Sequence, residues 1–366
     1  MLETGRTPMD KLKIAREWGT RKDEGSYRRG DLTMERWYSY AYSKCDDVEM
    51  FPMASDNPED TDILLACGSA YTDENSARAY LDWLDSHPNA KMIVLEGGRG
   101  PRYNFTNEVC MEALNRTAGF LHNSTFYKHD GDKLKKALEG KTFEGVNLNI
   151  FEPRGVGFLP LSERNNNVLC FGAIMRAKGV YGFVEDFGKY RNGTYNYGTV
   201  GHFHPIDNPR GDVIRLPRFE PKVELEMTPD HFNMIDGYDS EDENFQEFFR
   251  HTRFAVFCHG MDPYYPKEAW IEAPEYCLLE AIDAGIPIIV SEKWLDSIRV
   301  FGEKPDVENS GILTYSDFGD LNENRLRAWE REYSSIVKRQ HDFLVKWWGR
   351  GVERKLTKKL REIVGK

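Results

Sequence analysis

The sequence predicts an α/β chain made of two similar halves, each organised on a doubly wound parallel sheet. Short apolar runs alternate with amphipathic stretches from Lys11 to Val364, the pattern of βα repeats. A glycine-punctuated loop follows the first apolar run of each half, Gly19 to Gly30 in one and Gly172 to Gly179 in the other, as where a strand turns into a helix. At 366 residues the chain is longer than one typical core, so two domains of comparable size are expected. These are residues 1–160 and 161–335, followed by a basic helical segment, 336–366, that packs back on the first.

In order along the first half, Lys11 to Trp18 alternates like a strand, Leu32 to Ser43 has helical spacing and Val48 to Pro52 reads as a second strand, a βαβ opening. Strands follow at Asp62 to Gly68, Lys91 to Glu96, Ala118 to His122 and Val146 to Ile150. Helices separate them at Ser76 to Ser86, Asn107 to Thr117 and Asp130 to Leu138. The second half opens with a strand at Asn167 to Phe171 and a helix at Val180 to Tyr190. Asn192 to Phe219, rich in Gly, Tyr, Pro and His, reads as an irregular excursion. A strand at Lys222 to Met227, a helix at Glu241 to Arg250 and a strand at Phe254 to Cys258 come next. A short helix beginning near Pro274 stops at Gly285, and Ile286 to Val290 and Ser310 to Tyr315 are strands. Asn322 to Val364 is helical with a break at Gly349-Arg-Gly351. Both halves are thus Rossmann-like, and ligands of such sheets sit at the carboxyl ends of strands.

Composition narrows the function classes. Aromatic residues at 13% and apolar residues at 40% argue against long disorder. There is no apolar run of membrane-spanning length, and Met1-Leu-Glu-Thr-Gly5 has the character of neither a signal peptide nor an anchor, so a soluble, cytoplasmic protein with no membrane partner is expected. Six scattered cysteines without a CxxC pair point to reduced thiols rather than a metal site. His202 and His204 have the spacing of one strand face, but no third ligand is evident, so no metal is assigned. A net charge of -11 disfavours polyanionic partners as a whole, yet from Arg325 to Lys366 there are thirteen Lys and Arg against five acids. That block, and Arg21, Lys22, Arg28 and Arg29 in the first loop, could meet phosphates. A solvated helix face is the plainer account of the block.

The most informative stretch runs from Trp270 to Ser291. Glu272 lies before the helix and Glu280 within it, so both can face one crevice near the helix start, where the amide groups add positive potential. Two glutamates alone would more often be ordinary exposed acids. Their spacing, with the following Ala281-Ile-Asp-Ala-Gly285-Ile-Pro287, resembles the signature of retaining glycosyltransferases of the GT-B fold, which use nucleotide-sugar donors.

Within that fold the chain resembles the DNA α-glucosyltransferases of T-even phages. The resemblance is carried by Gly172 to Phe187 with Lys178-Gly179, by Pro274 to Val290, and by Asn309 to Leu313 through Arg331-Glu-Tyr333 to Asp342-Phe-Leu344; it is looser over Lys91 to Leu95 and Phe120 to Lys133. It implies two Rossmann-like domains facing across a cleft, with a C-terminal helix crossing back. The implied activity is retaining transfer of a sugar from a UDP-sugar, UDP-glucose first, to a hydroxymethylpyrimidine of duplex DNA. The setting would be the cytoplasm of an infected bacterium, and the enzyme a monomer needing no tightly bound metal. The donor site would be formed by Gly172, Arg176, Lys178, Glu272, Glu275, Tyr276 and Glu280. Arg176 and Lys178 would take the diphosphate, Glu280 the ribose and Glu272 the sugar, with Glu275 a rival for the last role. Glu96 is the candidate for orienting or deprotonating the acceptor, beside Arg99, Arg102 and His122. Catalysis would thus rest on Glu96, Arg176, Lys178 and Glu272.

Two departures from the family pattern stand out. Ala173 replaces an arginine directly after the strand glycine, and Glu96-Gly-Gly-Arg99 replaces a His-Asp pair after the fourth strand. They leave open a transferase of cell-envelope glycans and a catalytically silent nucleotide- or DNA-binding protein.

Overall fold

The structure is a computed structural model. It describes residues 11–17, 38, 41–67, 74–96, 104–122, 131–146, 150–151, 153, 157–171, 179, 183, 194–200, 249–261, 276–295, 306–348 and 351–366. The helices expected at 32–43, 180–190 and 241–250 and the strand at 222–227 fall wholly or mostly outside these residues. The chain divides into two compact units, Met1–Glu152 with Arg350–Lys366, and Pro153–Gly349.

The first unit holds β1 (Leu12–Arg16), β2 (Val48–Pro52), β3 (Ile63–Cys67), α1 (Glu74–Ser86), β4 (Lys91–Glu96), α2 (Glu108–Arg116), β5 (Thr117–His122), α3 (Gly131–Ala137) and β6 (Thr142–Gly145). All six strands are parallel, in the order β2-β1-β3-β4-β5-β6. Ile63, Leu64, Leu65, Met92, Ile93 and Val94 are fully buried, as strands covered on both faces require. Residues alternate across the pleat. Ala15, Leu64, Val94 and Phe120 pack with Tyr80, Trp83, Leu114 and Leu134 of α1, α2 and α3. The opposite face receives the C-terminal helix, whose Ile363 lies against Gly119 of β5.

The last strand differs from the expected one. Thr142–Gly145 pairs with Gly119–His122, four residues before the apolar run at Val146. Phe143 stacks on Phe120 at 5.4 Å, and every residue of β6 is only half-buried. An edge strand packs on one side only, so its composition carries a weak apolar signal.

The second unit is built on β7 (Asn167–Phe171), β8 (Asn196–Val200), β9 (Phe254–Phe257), α4 (Tyr276–Asp283), β10 (Ile288–Ser291), α5 (Glu292–Leu295), β11 (Leu313–Tyr315), α6 (Glu323–Glu330) and α7 (Tyr333–Trp348). Its five parallel strands run β11-β10-β9-β7-β8. Asn196–Val200, expected to be irregular, is the edge strand beside β7, again with little apolar character. Val168, Cys170, Phe254, Val256 and Ile289 form the core with Leu326 of α6 and Ile336 of α7.

α7 stays with this unit. Its buried Gln340 accepts the Ile288 N–H at 2.9 Å and donates to the carbonyls of Ile288 (3.1 Å) and Gly311 (2.9 Å). The chain rejoins the first unit only after the Gly349–Gly351 break, as α8 (Val352–Val364). The return therefore begins at residue 350, not at the expected 336. Side-chain bonds from α7 to the second sheet outweigh the basic composition shared by the two helices.

α4 ends in a Schellman motif. Ile286 N–H reaches the Ala281 carbonyl and Gly285 N–H the Ile282 carbonyl, both at 2.9 Å, with Gly285 at φ 68°. A Cβ at Gly285 would sit 2.4 Å from Phe158, so glycine is required for space as well as for conformation. The exposed carbonyls beyond this cap are taken up by Arg164, a guanidinium only 4% exposed. It donates to the carbonyls of Ala284 (3.3 Å) and Gly285 (2.8 Å), and also to those of Leu159, Arg250 (2.6 Å) and Thr252 (2.9 Å). Burial pushes its pKa down from the ordinary value, and Tyr333 lies under it at 5.6 Å. Replacing Arg164 by Met should lower the stability of the second unit by about 3–5 kcal/mol, because several buried carbonyls lose their donor at once. Hydrogen exchange at Ala255 and Val256 should accelerate while amides of β4 hold; unchanged exchange in β9 would refute the role.

Candidate functional site

A parallel sheet buried on both faces leaves its carboxyl edge as the place for polar function, and the crevice opens where successive strands depart to opposite sides. In the second unit β8 lies on one side of β7 and β9 on the other, so the switch point is between β7 and β9. Three segments converge there. β7 ends at Phe171; β9 continues into a turn, Cys258–Met261, closed by Met261 N–H to the Cys258 carbonyl at 3.1 Å; and α4 begins at Tyr276. The Cys277 thiol in the first turn of α4 points at the Phe171 carbonyl, 3.8 Å away. That contact sets the start of the helix against the end of β7.

Tyr276 and Glu280 are four residues apart on α4 and so share one face. Both are half-buried, with the Tyr276 hydroxyl and one Glu280 carboxylate oxygen withdrawn from solvent. The structure thus places two of the expected donor-site residues at the switch point, beside the strand end from which Gly172 follows. A carboxylate here can accept two hydrogen bonds from vicinal hydroxyls. Gly172, Arg176, Lys178, Glu272 and Glu275 lie outside the described residues, as do His202 and His204.

The turn after β9 is held from behind by residues that sequence reading did not single out. His259, 2% exposed, stacks on Trp294 at 4.9 Å and 22°. Its carbonyl accepts the Ser291 hydroxyl, and the same Oγ accepts the Trp294 N–H at 3.1 Å at the start of α5. Ser291 therefore ties the end of β10, the first turn of α5 and the β9 turn together. A polar residue closing an apolar strand was the available signal.

In the first unit Glu96 and His122 are register partners at the carboxyl ends of β4 and β5. His122 is half-buried against Phe143, 4.8 Å between centroids. The equivalent switch point falls between β1 and β3, since β2 lies on the far side of β1. There Arg16 ends β1 and Glu17 follows it, each 6% exposed: buried charges that the apolar character of Leu12–Arg16 hid. Arg21, Lys22, Arg28, Arg29, Arg99 and Arg102 lie outside the described residues.

The basic C-terminal block is partly engaged. Lys359 pairs with Glu144 (2.7 Å) and Glu362 (3.0 Å), Arg361 with Asp47 (3.3 Å), and Lys366 with Asp62 (2.6 Å). These three cations dock α8 on the first unit rather than standing open for phosphates. Arg354, Lys355 and Lys358 remain exposed. Among the described residues no helix is long and apolar enough to cross a membrane, and no group of three metal-ligating side chains occurs.

Two parallel sheets flanked by helices, each with its own switch point, form the GT-B fold of glycosyltransferases. Solved structures with this architecture match nearly the whole chain. An alpha-glucosyltransferase in complex with UDP-glucose and DNA containing an abasic site matches with a TM-score of 0.66 at 16% identity, over 97% of this chain and 99% of that one. An alpha-glucosyltransferase in complex with UDP gives 0.63 at 16% identity, over 97% and 100%. The catalytic domain of starch synthase IV from Arabidopsis thaliana, bound to ADP and acarbose, gives 0.50 at 11% identity, over 94% and 80%. No family model and no curated protein matches the sequence.

Replacing Ser291 by Ala should cost about 1–2 kcal/mol, the sum of a lost helix cap and one buried hydrogen bond. A urea denaturation midpoint unchanged from wild type would show that the turn is held by other contacts.

Proposed function

We propose that the chain is a retaining glycosyltransferase that moves a sugar, glucose first among candidates, from a UDP-sugar to a hydroxymethylpyrimidine of duplex DNA. The observation that carries this reading is the position of Tyr276 and Glu280 at the switch point of the second sheet, in a fold matched end to end by alpha-glucosyltransferases bound to UDP-glucose and DNA. Glu280 takes the ribose hydroxyls and Glu272 those of the sugar, with Glu275 and Tyr276 beside them. Arg176 and Lys178, after Gly172, meet the diphosphate and stabilise the charge that grows on it as it leaves.

The acceptor hydroxyl attacks the anomeric carbon on the face from which the diphosphate departs. The new C–O bond forms as the C–O bond to phosphate breaks, and the hydroxyl proton passes to a phosphate oxygen. Glu96, next to His122 across the β4–β5 ladder, orients the acceptor. Arg99, Arg102 and the basic residues Arg21, Lys22, Arg28 and Arg29 hold the DNA backbone while the base is turned out of the stack. The enzyme acts as a monomer in the cytoplasm of a phage-infected bacterium and requires no tightly bound metal.

Incubation with UDP-[14C]glucose and hydroxymethylcytosine or hydroxymethyluracil duplex should label the DNA with retained, α configuration. No transfer from any UDP-sugar to either duplex would refute the proposal. In the active system Glu280→Gln should raise the donor KM roughly 10- to 100-fold, the effect of losing charge-assisted hydrogen bonds worth about 1.5–3 kcal/mol, with a smaller change in kcat. An unchanged donor KM would remove Glu280 from the ribose site.

A further inference from the structure

Beside the donor site lies one backbone contact with no tolerance. Gly179 is buried at φ 68°, a conformation that L side chains rarely adopt, and a Cβ there would lie 1.9 Å from the Cys258 carbonyl oxygen and 3.2 Å from Cβ of Met261. The carbonyl of Gly179 also accepts the Phe183 N–H at 3.4 Å, the first helical bond of the segment that follows. Gly179 is therefore where the chain arriving from β7 is pressed flat onto the turn that closes β9, across the switch point of the sheet. That turn cannot retreat. The Cys258 carbonyl is already bonded to Met261 N–H, the next carbonyl is held by Ser291, and the His259 ring is wedged on Trp294.

We propose that Gly179 is the positioning residue of the diphosphate subsite: its bare Cα, seated on the Cys258 carbonyl, sets the depth at which the preceding Lys178 meets the donor phosphates. This rests on the donor-site reading above and adds a determinant that reading does not contain. Any side chain at 179 lifts the backbone off the β9 turn and moves the adjacent cation away from the diphosphate. The uridine contacts made from α4 stay in place, because α4 is anchored independently by Cys277 at β7 and by its Gly285 cap.

The two parts of the ligand allow a direct test by titration calorimetry with UDP and with uridine. Gly179→Ala should weaken UDP binding at least tenfold and change uridine binding less than twofold. Ser291→Ala, which frees the His259 carbonyl without touching the ligand, should reduce the UDP-over-uridine preference about threefold and keeps the test open if Gly179→Ala does not fold. Gly285→Ala, equally strained but at the far end of α4, should lower thermal stability and leave the preference intact. Equal losses for UDP and uridine in Gly179→Ala, or an unchanged preference in both Gly179→Ala and Ser291→Ala, would overturn the inference while the donor site stands. A wild-type chain that binds no UDP would overturn the donor-site reading and this inference with it.

Discussion

The second unit depends on the way Arg164 gathers five backbone carbonyls. Parallel sheets with short connections crowd strand starts and helix ends at one edge, and the carbonyls exposed there cannot all be satisfied by neighbouring N–H groups. A forked, always-charged guanidinium is suited to that task, since it offers five donors in one plane and its charge is stabilised by several inward-pointing dipoles. Two of the five carbonyls belong to Ala284 and Gly285, at the end of α4. The helix is a stiff rod of eight residues, about 12 Å long. Fixing its carboxyl end at Arg164 and its first turn at Phe171 leaves Tyr276 and Glu280 little freedom. Residues at the carboxyl edge of the sheet are thus placed by an interaction at its amino edge.

The same division of labour recurs in both sheets. Strand interiors are apolar and fully covered, so they can pack but cannot react. Buried polar and charged side chains collect where strands end: Arg16 and Glu17 after β1, His259 after β9, Ser291 closing β10. In each unit these lie at or next to the point where the strand order reverses. Backbone and side-chain hydrogen bonds there compensate the desolvation that such groups would otherwise suffer, and they also make the turns stiff. A stiff turn is what a phosphate subsite needs, because charge stabilisation falls off when the donors must first be reorganised.

Electrostatics follow a less direct route from sequence to surface. The excess of positive charge near the C-terminus reads as a phosphate-binding strip, but α8 uses Lys359, Arg361 and Lys366 against acids of the first unit. Exposed pairs of this kind contribute little to stability individually. Their effect is to orient α8, whose apolar residues Val352, Leu356 and Leu360 do the packing. Arg354, Lys355 and Lys358, on the exposed side of the same helix, keep the remaining positive charge at the surface.

The buried strands, the amphipathic helices and the Gly285 stop were determined by sequence alone, because local periodicity records which face an element buries. The helical spacing of Tyr276 and Glu280 was legible for the same reason. The edge strands β6 and β8 were not, since a strand packed on one side has no strong apolar pattern to read. Tertiary structure alone decided that α7 belongs to the second unit, that Arg164 reaches carbonyls from Leu159 to Gly285, and that Gly179 rests on Cys258. These contacts join segments far apart in the chain. They depend on strand order, which the hydrophobic period of a single segment does not encode.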